Sequence, residues 1–89
     1  MNRYFTNRAD KEYKDWQKRN INVFAKINDL TDCIEEHGML GGLGKPEQLR
    51  RYSSPTFSRI ITKGDRLVYK PYGEGDLLII SCKGHYDDK

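Results

Sequence analysis

The stretch Leu77–Tyr86, LLIISCKGHY, lies near the C-terminus and holds the longest apolar cluster of the chain. Its four consecutive leucine and isoleucine residues are typical of a strand buried inside a domain. His85 and Tyr86 follow within a few residues, and both side chains are aromatic and ionisable. A buried strand that ends in such a pair can present two ionisable side chains at the surface. We therefore take this stretch as the centre of the fold and of the candidate site.

Two further strands precede this stretch and are separated by turn residues. Residues 56–62 are rich in β-branched side chains and lead into residues 63–65, a Lys-Gly-Asp turn. Residues 66–72 alternate between apolar and polar side chains, and residues 73–76, Gly-Glu-Gly-Asp, form the second turn. Strands joined by short turns pair as antiparallel neighbours. The C-terminal half therefore predicts a three-stranded antiparallel meander.

The N-terminal half predicts a hairpin of two helices. Apolar and aromatic side chains recur at helical spacing in residues 8–19, with Asn7 as the N-cap. A second apolar stripe occupies residues 23–34, after a break at Asn20 or Asn22. The short joint between the stripes indicates that the two helices pack against each other in opposite directions.

Together these elements predict an α+β fold. Residues 3–5 predict a short N-terminal strand, so we expect an antiparallel twisted sheet built from this strand and the meander. The helix hairpin should cover one face of the sheet, because isolated hairpins are marginally stable, while the other face stays polar and open. With 89 residues, the chain has room for one modest core, and we expect a single domain over residues 1–89.

Composition and charge favour a cytoplasmic protein that contacts a polyanion. The N-terminus lacks the apolar run of a signal peptide, and no stretch approaches the ~20 apolar residues of a membrane span. The two cysteines are too few for a secreted disulfide scaffold. Residues 1–37 carry seven basic and seven acidic residues, whereas residues 38–86 carry eight basic and four acidic ones. Such an excess indicates a surface that faces a polyanion, although basic residues on a sheet are often only solvated.

The glycine-rich segment 38–46 does not fit a phosphate-binding loop. A Walker motif requires glycine at position 39, where the chain has methionine, and serine or threonine at position 46, where it has proline. The dinucleotide-binding pattern does not fit either. We therefore expect no nucleotide cofactor.

A zinc site is an alternative use for four residues. Cys33 with His37 and Cys82 with His85 have spacings that permit a set of two cysteines and two histidines. Both cysteines also fit as small buried residues, and His37 fits as a cation at a helix C-terminus. The simpler interpretation is favoured, so we expect no metal.

One set of polar residues supplies what RNA cleavage by internal attack requires. Such cleavage needs a base for the 2′-hydroxyl, cations for the charge on the phosphorane and an acid for the departing 5′-oxygen. Lysine, arginine and tyrosine also suit RNA phosphates and stacked bases. The set consists of Lys45, Glu47, Arg59, Arg66, His85 and Tyr86. Each member taken singly also fits a surface charge or a chain end, and a basic sheet that only binds RNA stays an alternative.

Four motifs follow one another in a specific order: GKPEQL at 44–49, FSRII at 57–61, RLVY at 66–69 and CKGHY at 82–86. This set resembles the YoeB/Txe toxin family of the RelE/ParE toxin–antitoxin superfamily, and the likeness covers essentially the whole chain. The resemblance implies a microbial-ribonuclease-like, RelE-like fold. It also implies an mRNA endonuclease that cuts codons in the ribosomal A site and so stops translation.

The resemblance further implies the partners of the protein. These are the ribosome with its mRNA and a cognate antitoxin of the YefM/Axe type. Family members are similar in needing no metal or other cofactor and in often forming homodimers. We expect no membrane partner and no direct DNA binding by the toxin alone.

The resemblance also assigns roles to individual residues. Glu47 corresponds to the catalytic acidic residue of the family, Arg66 to the phosphate-binding arginine, and His85 and Tyr86 to a terminal pair. Our hypothesis for the roles is that Glu47 is the general base. His85 is then the general acid, and Tyr86 orients the substrate. Further RNA-phosphate contacts are expected from Lys45, Arg59, Arg50 and Lys83.

Two features depart from the family pattern. Related toxins can carry a second arginine directly after Arg59, where this chain has Ile60. The chain also continues past Tyr86 with Asp87-Asp88-Lys89. Two other functions fit a similar sheet and helices: a toxin of the same superfamily that poisons DNA gyrase without cutting RNA, and a non-enzymatic RNA-binding module. The gyrase toxin would not need the catalytic set, and the RNA-binding module would bind RNA tightly without creating new 5′ ends.

Overall fold

The computed structural model describes residues 1–85 and, within them, shows two helices packed on one five-stranded sheet. The elements in chain order are β1 (Arg3–Phe5), α1 (Asn7–Arg19), α2 (Ile21–His37), β2 (Glu47–Leu49), β3 (Thr56–Thr62), β4 (Asp65–Tyr72) and β5 (Asp76–Ser81). The strands lie in the order β1-β5-β4-β3-β2, with β1 parallel to β5 and the other pairs antiparallel. The predicted α+β class, helix hairpin and C-terminal meander are confirmed.

Three details of the prediction are wrong. The sheet is mixed rather than antiparallel, because a three-residue edge strand such as β1 carries no pattern that gives its direction. The additional strand β2 begins at Glu47, where the sequence predicts no strand, and pairing with β3 holds it extended. The N-cap of α1 is Thr6 rather than Asn7, since the Thr6 hydroxyl accepts from the Ala9 amide at 3.1 Å.

The core lies between the two helices and one face of the sheet. Helix α2 contributes Ile27, Leu30 and Ile34, which are fully buried and belong to the predicted stripe. The sheet contributes Phe57, Ile61, Leu67, Tyr69, Leu77 and Ile79. Burial of each such side chain stabilises the folded state by about 1.5–3 kcal/mol. This packing therefore determines which face of the sheet points away from the helices. Within the part of the chain that the structure describes, neither helix has the length and apolar character needed to cross a bilayer.

The opposite face of the sheet is open only in part. Strand alternation directs Thr56, Ser58 and Val68 away from the helices, yet all three are buried. Segment 50–55, which joins β2 to β3, is held against this face by a 2.5 Å bond from Lys70 Nζ to the Ser54 hydroxyl. The expectation of a fully open polar face is therefore wrong over this part of the sheet.

Candidate active site

Glu47 and Arg66 project from the sheet face that points away from the helices. Glu47 is paired with Ser58 on β3, and Arg66 is paired with Ile60, two residues further along the same strand. Directly paired residues of antiparallel strands share a face, and so do residues two apart in one strand. The two backbones are separated by about 10 Å across the sheet and about 7 Å along it. This spacing leaves room for a phosphodiester between the carboxylate and the guanidinium.

His85 belongs to a segment that runs alongside the start of β4, which we call the C-terminal segment (residues 82–85). The Arg66 amide donates to the Gly84 carbonyl at 2.9 Å, and the Gly84 amide donates to Asp65 Oδ1 at 2.8 Å. His85 comes next in the chain and is half-buried. The backbones of Arg66 and His85 are thus neighbours in space. Tyr86, the other member of the predicted pair, lies outside the described residues.

The Arg66 side chain is half-buried and folds back over the turn between β3 and β4. Its Nη1 donates to three backbone carbonyls, those of Thr62 at 3.0 Å, Lys63 at 3.2 Å and Asp65 at 3.2 Å. Within residues 1–85, no bond of the guanidinium runs from Nε or Nη2. The turn therefore fixes one side of the guanidinium and leaves its other N–H groups able to meet an anion.

Glu47 and Lys45 are both exposed and stand at the end of the glycine segment, residues 38–46. Lys45 has a positive φ of 51° and follows Gly44, whose φ is 89°. The left-handed conformation costs a lysine about 1–2 kcal/mol, and the Ile60 amide helps to hold it by donating to the Gly44 carbonyl at 2.7 Å. In the described part of the chain, neither Glu47 nor Lys45 forms an ion pair. Both charges can therefore meet a polar ligand.

Arg59 lies inside the protein and does not reach this surface. It is paired with Leu67 and faces the helices, whereas Arg66 faces the other way. Its side chain is 0% exposed. The expected contact of Arg59 with RNA phosphate is incompatible with this placement, because strand alternation puts the two arginines on opposite faces of the sheet.

The buried guanidinium of Arg59 uses all five of its N–H groups within the protein. Nε donates to the Tyr69 hydroxyl at 2.8 Å, Nη1 to Leu43 O at 2.7 Å and Cys33 Sγ at 3.6 Å, and Nη2 to Gly38 O at 2.9 Å and Met39 O at 3.2 Å. We call this group of residues the Arg59 cluster. Carbonyls at the end of α2 carry the negative pole of the helix, which helps to stabilise the buried cation.

Tyr69 completes the Arg59 cluster by donating its hydroxyl proton to Met39 O at 2.6 Å. Burial raises the pKa of the Tyr69 phenol, and the neighbouring Arg59 opposes this only in part, so the phenol keeps its proton. The cluster thereby ties the glycine segment at residues 38, 39 and 43 to β3 and β4. It fixes the chain just before Lys45 and Glu47.

Helix α1 holds the C-terminal segment from the other side. The Cys82 amide donates to Glu12 Oε1 at 2.8 Å, and the Cys82 carbonyl accepts from Trp16 Nε1 at 2.8 Å. Burial, together with the nearby Glu12 carboxylate, raises the pKa of the Cys82 thiol to about 12, so the thiol stays neutral. The C-terminal segment is therefore held by Glu12 and Trp16 of α1 on one side and by Asp65 of β4 on the other.

Asp65, Glu12 and Trp16 were not predicted as residues of the site. They lie 19, 70 and 66 positions along the chain from the backbone groups that they bind. No local pattern signals such bonds, because they arise only when the C-terminal segment returns between α1 and β4. Their role is to place the segment that carries His85.

Lys83 and Arg50, the other predicted phosphate contacts, lie in different surroundings. Lys83 Nζ donates to Asp15 at 2.8 Å and lies 5.6 Å from the centre of the Trp16 ring. This bond, with help from Arg19, lowers the pKa of the Asp15 carboxyl. Arg50 is exposed and helps to line a shallow cavity of about 340 Å³ in segment 48–55. Contact of either residue with RNA stays a prediction.

The four residues of the alternative zinc set do not come together. Cys33 lies beneath the glycine segment, where the Leu43 amide donates to its sulfur at 3.2 Å. The Cys82 thiol instead points at the carbonyl of Ala9, with a sulfur–oxygen distance of 3.8 Å. Among residues 1–85, no three histidine, cysteine or acidic side chains are grouped as metal ligands. Both cysteines are buried, as predicted by their interpretation as small core residues.

Known proteins with similar sequences are bacterial toxins. Residues 5–86 match the family described as "YoeB-like toxin of bacterial type II toxin-antitoxin system". A YoeB toxin of Synechocystis sp. is 38% identical over 82 residues, which cover 92% of this chain and 93% of the relative.

Solved structures agree with the sequence match. The YoeB dimer from Staphylococcus aureus superposes with a TM-score of 0.90 at 37% identity, over 97% of this chain and 98% of that one. A YoeB–YefM complex from the same organism gives 0.88 at 38% identity, over the same shares of the two chains. Fold and sequence together define a toxin of the bacterial type II toxin–antitoxin class. Within that class, the chain belongs to the YoeB-like toxin family.

Proposed function

We propose that this toxin is a ribosome-dependent mRNA endoribonuclease that cleaves codons in the ribosomal A site and thereby inhibits translation. One observation carries the proposal: Glu47 and Arg66 project from the same sheet face, and the segment with His85 is bonded alongside Arg66. A carboxylate, a guanidinium and an imidazole around one surface are the groups that acid–base cleavage of RNA requires.

In the proposed reaction, Glu47 takes the proton of a ribose 2′-hydroxyl, and the 2′-oxygen attacks the adjacent phosphorus. The bond from phosphorus to the 2′-oxygen forms while the bond to the 5′-oxygen breaks. The products are a 2′,3′-cyclic phosphate and a 5′-hydroxyl end. His85 gives a proton to the departing 5′-oxygen, which balances the proton taken by Glu47. Arg66 stabilises the charge that develops on the phosphorane oxygens.

Other basic and aromatic residues have supporting roles in this proposal. Tyr86 orients the substrate, and the exposed Lys45 contacts the phosphate. Arg50 and Lys83 bind phosphates further along the strand. Every proton transfer is assigned to a side chain, so we propose that the reaction needs no metal. Arg59 is not part of this set, because the protein itself occupies all of its donors.

The open position of the site supports dependence on the ribosome. Glu47 and Lys45 stand on an exposed surface, and a surface of this kind holds a flexible RNA strand poorly. Alignment of the reacting atoms provides a large part of the rate in such reactions. An mRNA codon fixed in the A site is already held, so the toxin need supply only the acid, the base and the cation.

We further propose that the chain has the partners seen for its relatives and acts in the cytoplasm. The Staphylococcus aureus toxin forms a dimer and a complex with YefM. By this analogy, the present chain forms homodimers and is neutralised by a cognate antitoxin of the YefM type. Size-exclusion chromatography of the toxin, alone and co-expressed with its antitoxin, tests both statements.

A translation assay with primer extension tests the nuclease proposal. Purified wild-type protein added to translating ribosomes should create new mRNA 5′ ends in the A-site codon. Glu47→Gln should lower the cleavage rate by about 10²–10⁴-fold, because it removes the base and keeps the shape of the side chain. Glu74→Gln is the matched control: Glu74 is an exposed acid in the turn between β4 and β5, so its loss should leave the rate unchanged.

Two outcomes contradict the proposal. The first is full cleavage by Glu47→Gln, which would exclude Glu47 as the base. The second is inhibition of translation by the wild type with no new 5′ ends, which would make the protein a binder that does not cut.

A further inference from the structure

Asp65 uses both oxygens of its carboxylate to join two parts of the chain. Oδ1 accepts from the Gly84 amide at 2.8 Å, and Oδ2 accepts from the Thr62 hydroxyl at 2.6 Å. The Thr62 hydroxyl in turn accepts from the Gly64 amide at 3.2 Å. The turn between β3 and β4 therefore fixes the direction of the carboxylate, and the carboxylate fixes the C-terminal segment.

The same residue also contacts the candidate phosphate-binding group. The backbone carbonyl of Asp65 accepts from Arg66 Nη1 at 3.2 Å. Asp65 thus bonds the Arg66 guanidinium through its main chain and the residue before His85 through its side chain. Among residues 1–85, its carboxylate forms no ion pair with a lysine or arginine. Backbone amide and hydroxyl donors are its partners.

Among the described residues, the backbone of the C-terminal segment has few other hydrogen bonds to β4. After Ser81, which pairs with Val68, the bond from the Arg66 amide to the Gly84 carbonyl is the backbone link between them within the described residues. Lys83 is directed to α1, where it meets Asp15. Among the bonds of Gly84 to β4 that the described residues show, only the one from the Arg66 amide would remain without the Asp65 side chain, and the backbone leading to His85 would be less well defined.

We propose that Asp65 is a positioning residue that sets the place of His85 relative to Arg66. The proposal rests on the function proposed above. Asp65 does not touch the reacting atoms. It acts on cleavage through Gly84, by holding the general acid beside the arginine that binds the phosphate. A displacement of a reacting group by about 1 Å can cost about 10²-fold in rate, so a lost anchor should lower the rate of the chemical step.

The test compares four proteins in the cleavage assay: wild type, Asp65→Ala, Asp65→Asn and Asp76→Ala. Asp65→Ala should lower kcat by about 10–100-fold with little change in KM, because substrate binding by Arg66 persists. Asp65→Asn should stay within a few-fold of the wild type, since an amide oxygen still accepts from Gly84 and the Thr62 hydroxyl can reverse its role. This rescue by the conservative variant separates the geometry of the anchor from its charge.

Asp76→Ala is the matched control. Asp76 opens β5 as Asp65 opens β4, and its Oδ1 accepts from a backbone amide, that of Asn2, at 2.9 Å. The substitution Asp76→Ala removes the same kind of bond at a place remote from His85, so kcat should equal that of the wild type. Thermal unfolding of each variant verifies that it is folded at the assay temperature.

A readout that is independent of cleavage is the hydrogen exchange of the Gly84 amide, measured by NMR. Exchange should be faster in Asp65→Ala than in the wild type and unchanged in Asp76→Ala. Equal exchange rates of the Gly84 amide in all three proteins would contradict the proposal that Asp65 anchors the C-terminal segment. Wild-type kcat in Asp65→Ala, or an equal loss in Asp76→Ala, overturns the positioning role. If the wild type does not cleave, the proposed function fails, and the exchange rates alone decide whether Asp65 anchors the segment.

Discussion

The glycine segment leads to Glu47 and the C-terminal segment contains His85, the two residues proposed to move protons, and the protein holds these two segments in different ways. The glycine segment leads to Glu47 and is fixed from inside, by a buried guanidinium whose five N–H groups are all used. The C-terminal segment leads to His85 and is fixed from the surface, by half-buried side chains of α1 and β4. The first segment is bonded to a side chain inside the core, and the second to side chains that are only half-buried.

This difference predicts which mutations unfold the protein and which only loosen the site. Removing a buried cation exposes several acceptors to an apolar interior, where unpaired polar groups are costly. Removing a half-buried bond lets water replace the lost partner. The loss of stability on mutation should therefore be largest for the Arg59 cluster, smaller for the contacts of Trp16 and smallest for the partly exposed ion pair of Lys83.

The largest effect is expected for Arg59→Ala. The change leaves a cavity and removes the donors that Gly38, Met39 and Leu43 carbonyls now use. It should lower the free energy of unfolding by about 3 kcal/mol or more, as measured by urea denaturation. Arg51→Ala is the control, because Arg51 is exposed in the segment between β2 and β3 and its loss should stay within about 0.5 kcal/mol.

A loss of under about 1 kcal/mol in Arg59→Ala would show that the glycine segment does not depend on the buried cation. The contrast between the two segments would then break down. An Arg59→Ala protein that remains folded and keeps full cleavage would lead to the same conclusion.

A smaller and more specific effect is expected for Trp16→Phe. The variant loses the 2.8 Å bond from the indole to the Cys82 carbonyl, which should cost about 1 kcal/mol in the free energy of unfolding. Because that bond holds the C-terminal segment, the cleavage rate should also fall several-fold. Tyr13→Phe is the matched variant on the same helix: it loses the 2.5 Å bond to Asn28 and should cost a similar free energy.

Cleavage separates the two helix variants. Tyr13 does not contact the C-terminal segment through this bond, so Tyr13→Phe should cleave at the wild-type rate. Equal rates for both variants would mean that Trp16 matters to the fold alone and not to the placement of His85.

The smallest effect is expected for the ion pair between Lys83 and Asp15. The pKa of Asp15 is lowered in the folded state, mainly by its bond with Lys83. The stabilisation is therefore complete above the ordinary aspartate value of 3.8 and is lost as the pH falls through the lower folded-state value. Lys83→Ala should lower Tm by no more than about 2 °C at neutral pH.

In strongly acid solution, where Asp15 is protonated, the Tm values of Lys83→Ala and the wild type should converge. High salt should also reduce the difference, since the pair is partly exposed. A difference that persists under both conditions would point to packing against Trp16 instead of charge.

Much of the fold could be predicted because it follows local periodicity. The stripe of α2 and the turns around β4 are visible in the chain, and the structure has both. Strand β2 could not be found in this way, since three residues show no period. The direction of β1 is likewise a property of the packed sheet rather than of its own residues.

The candidate site could be predicted in part. Chemical type and motif order indicate Glu47, Arg66 and His85. The structure puts Glu47 and Arg66 on one face of the sheet and the backbone of His85 next to that of Arg66. The prediction that Arg59 contacts RNA phosphate rests on its chemical type, and the sequence of β3 does not show which face it occupies, because Ile60 and Ile61 are adjacent and both apolar. The face of Arg59 is decided by its pairing with Leu67.

The sequence by itself determined the α+β class, the helix stripes, the meander and the residue types of the site, because these depend on periodicity and side-chain chemistry over short distances. Only the tertiary structure decided that Arg59 is an internal anchor and that Asp65, Glu12 and Trp16 hold the end of the chain. These roles rest on hydrogen bonds between residues far apart in the chain, and such partners meet only when the sheet and helices have packed.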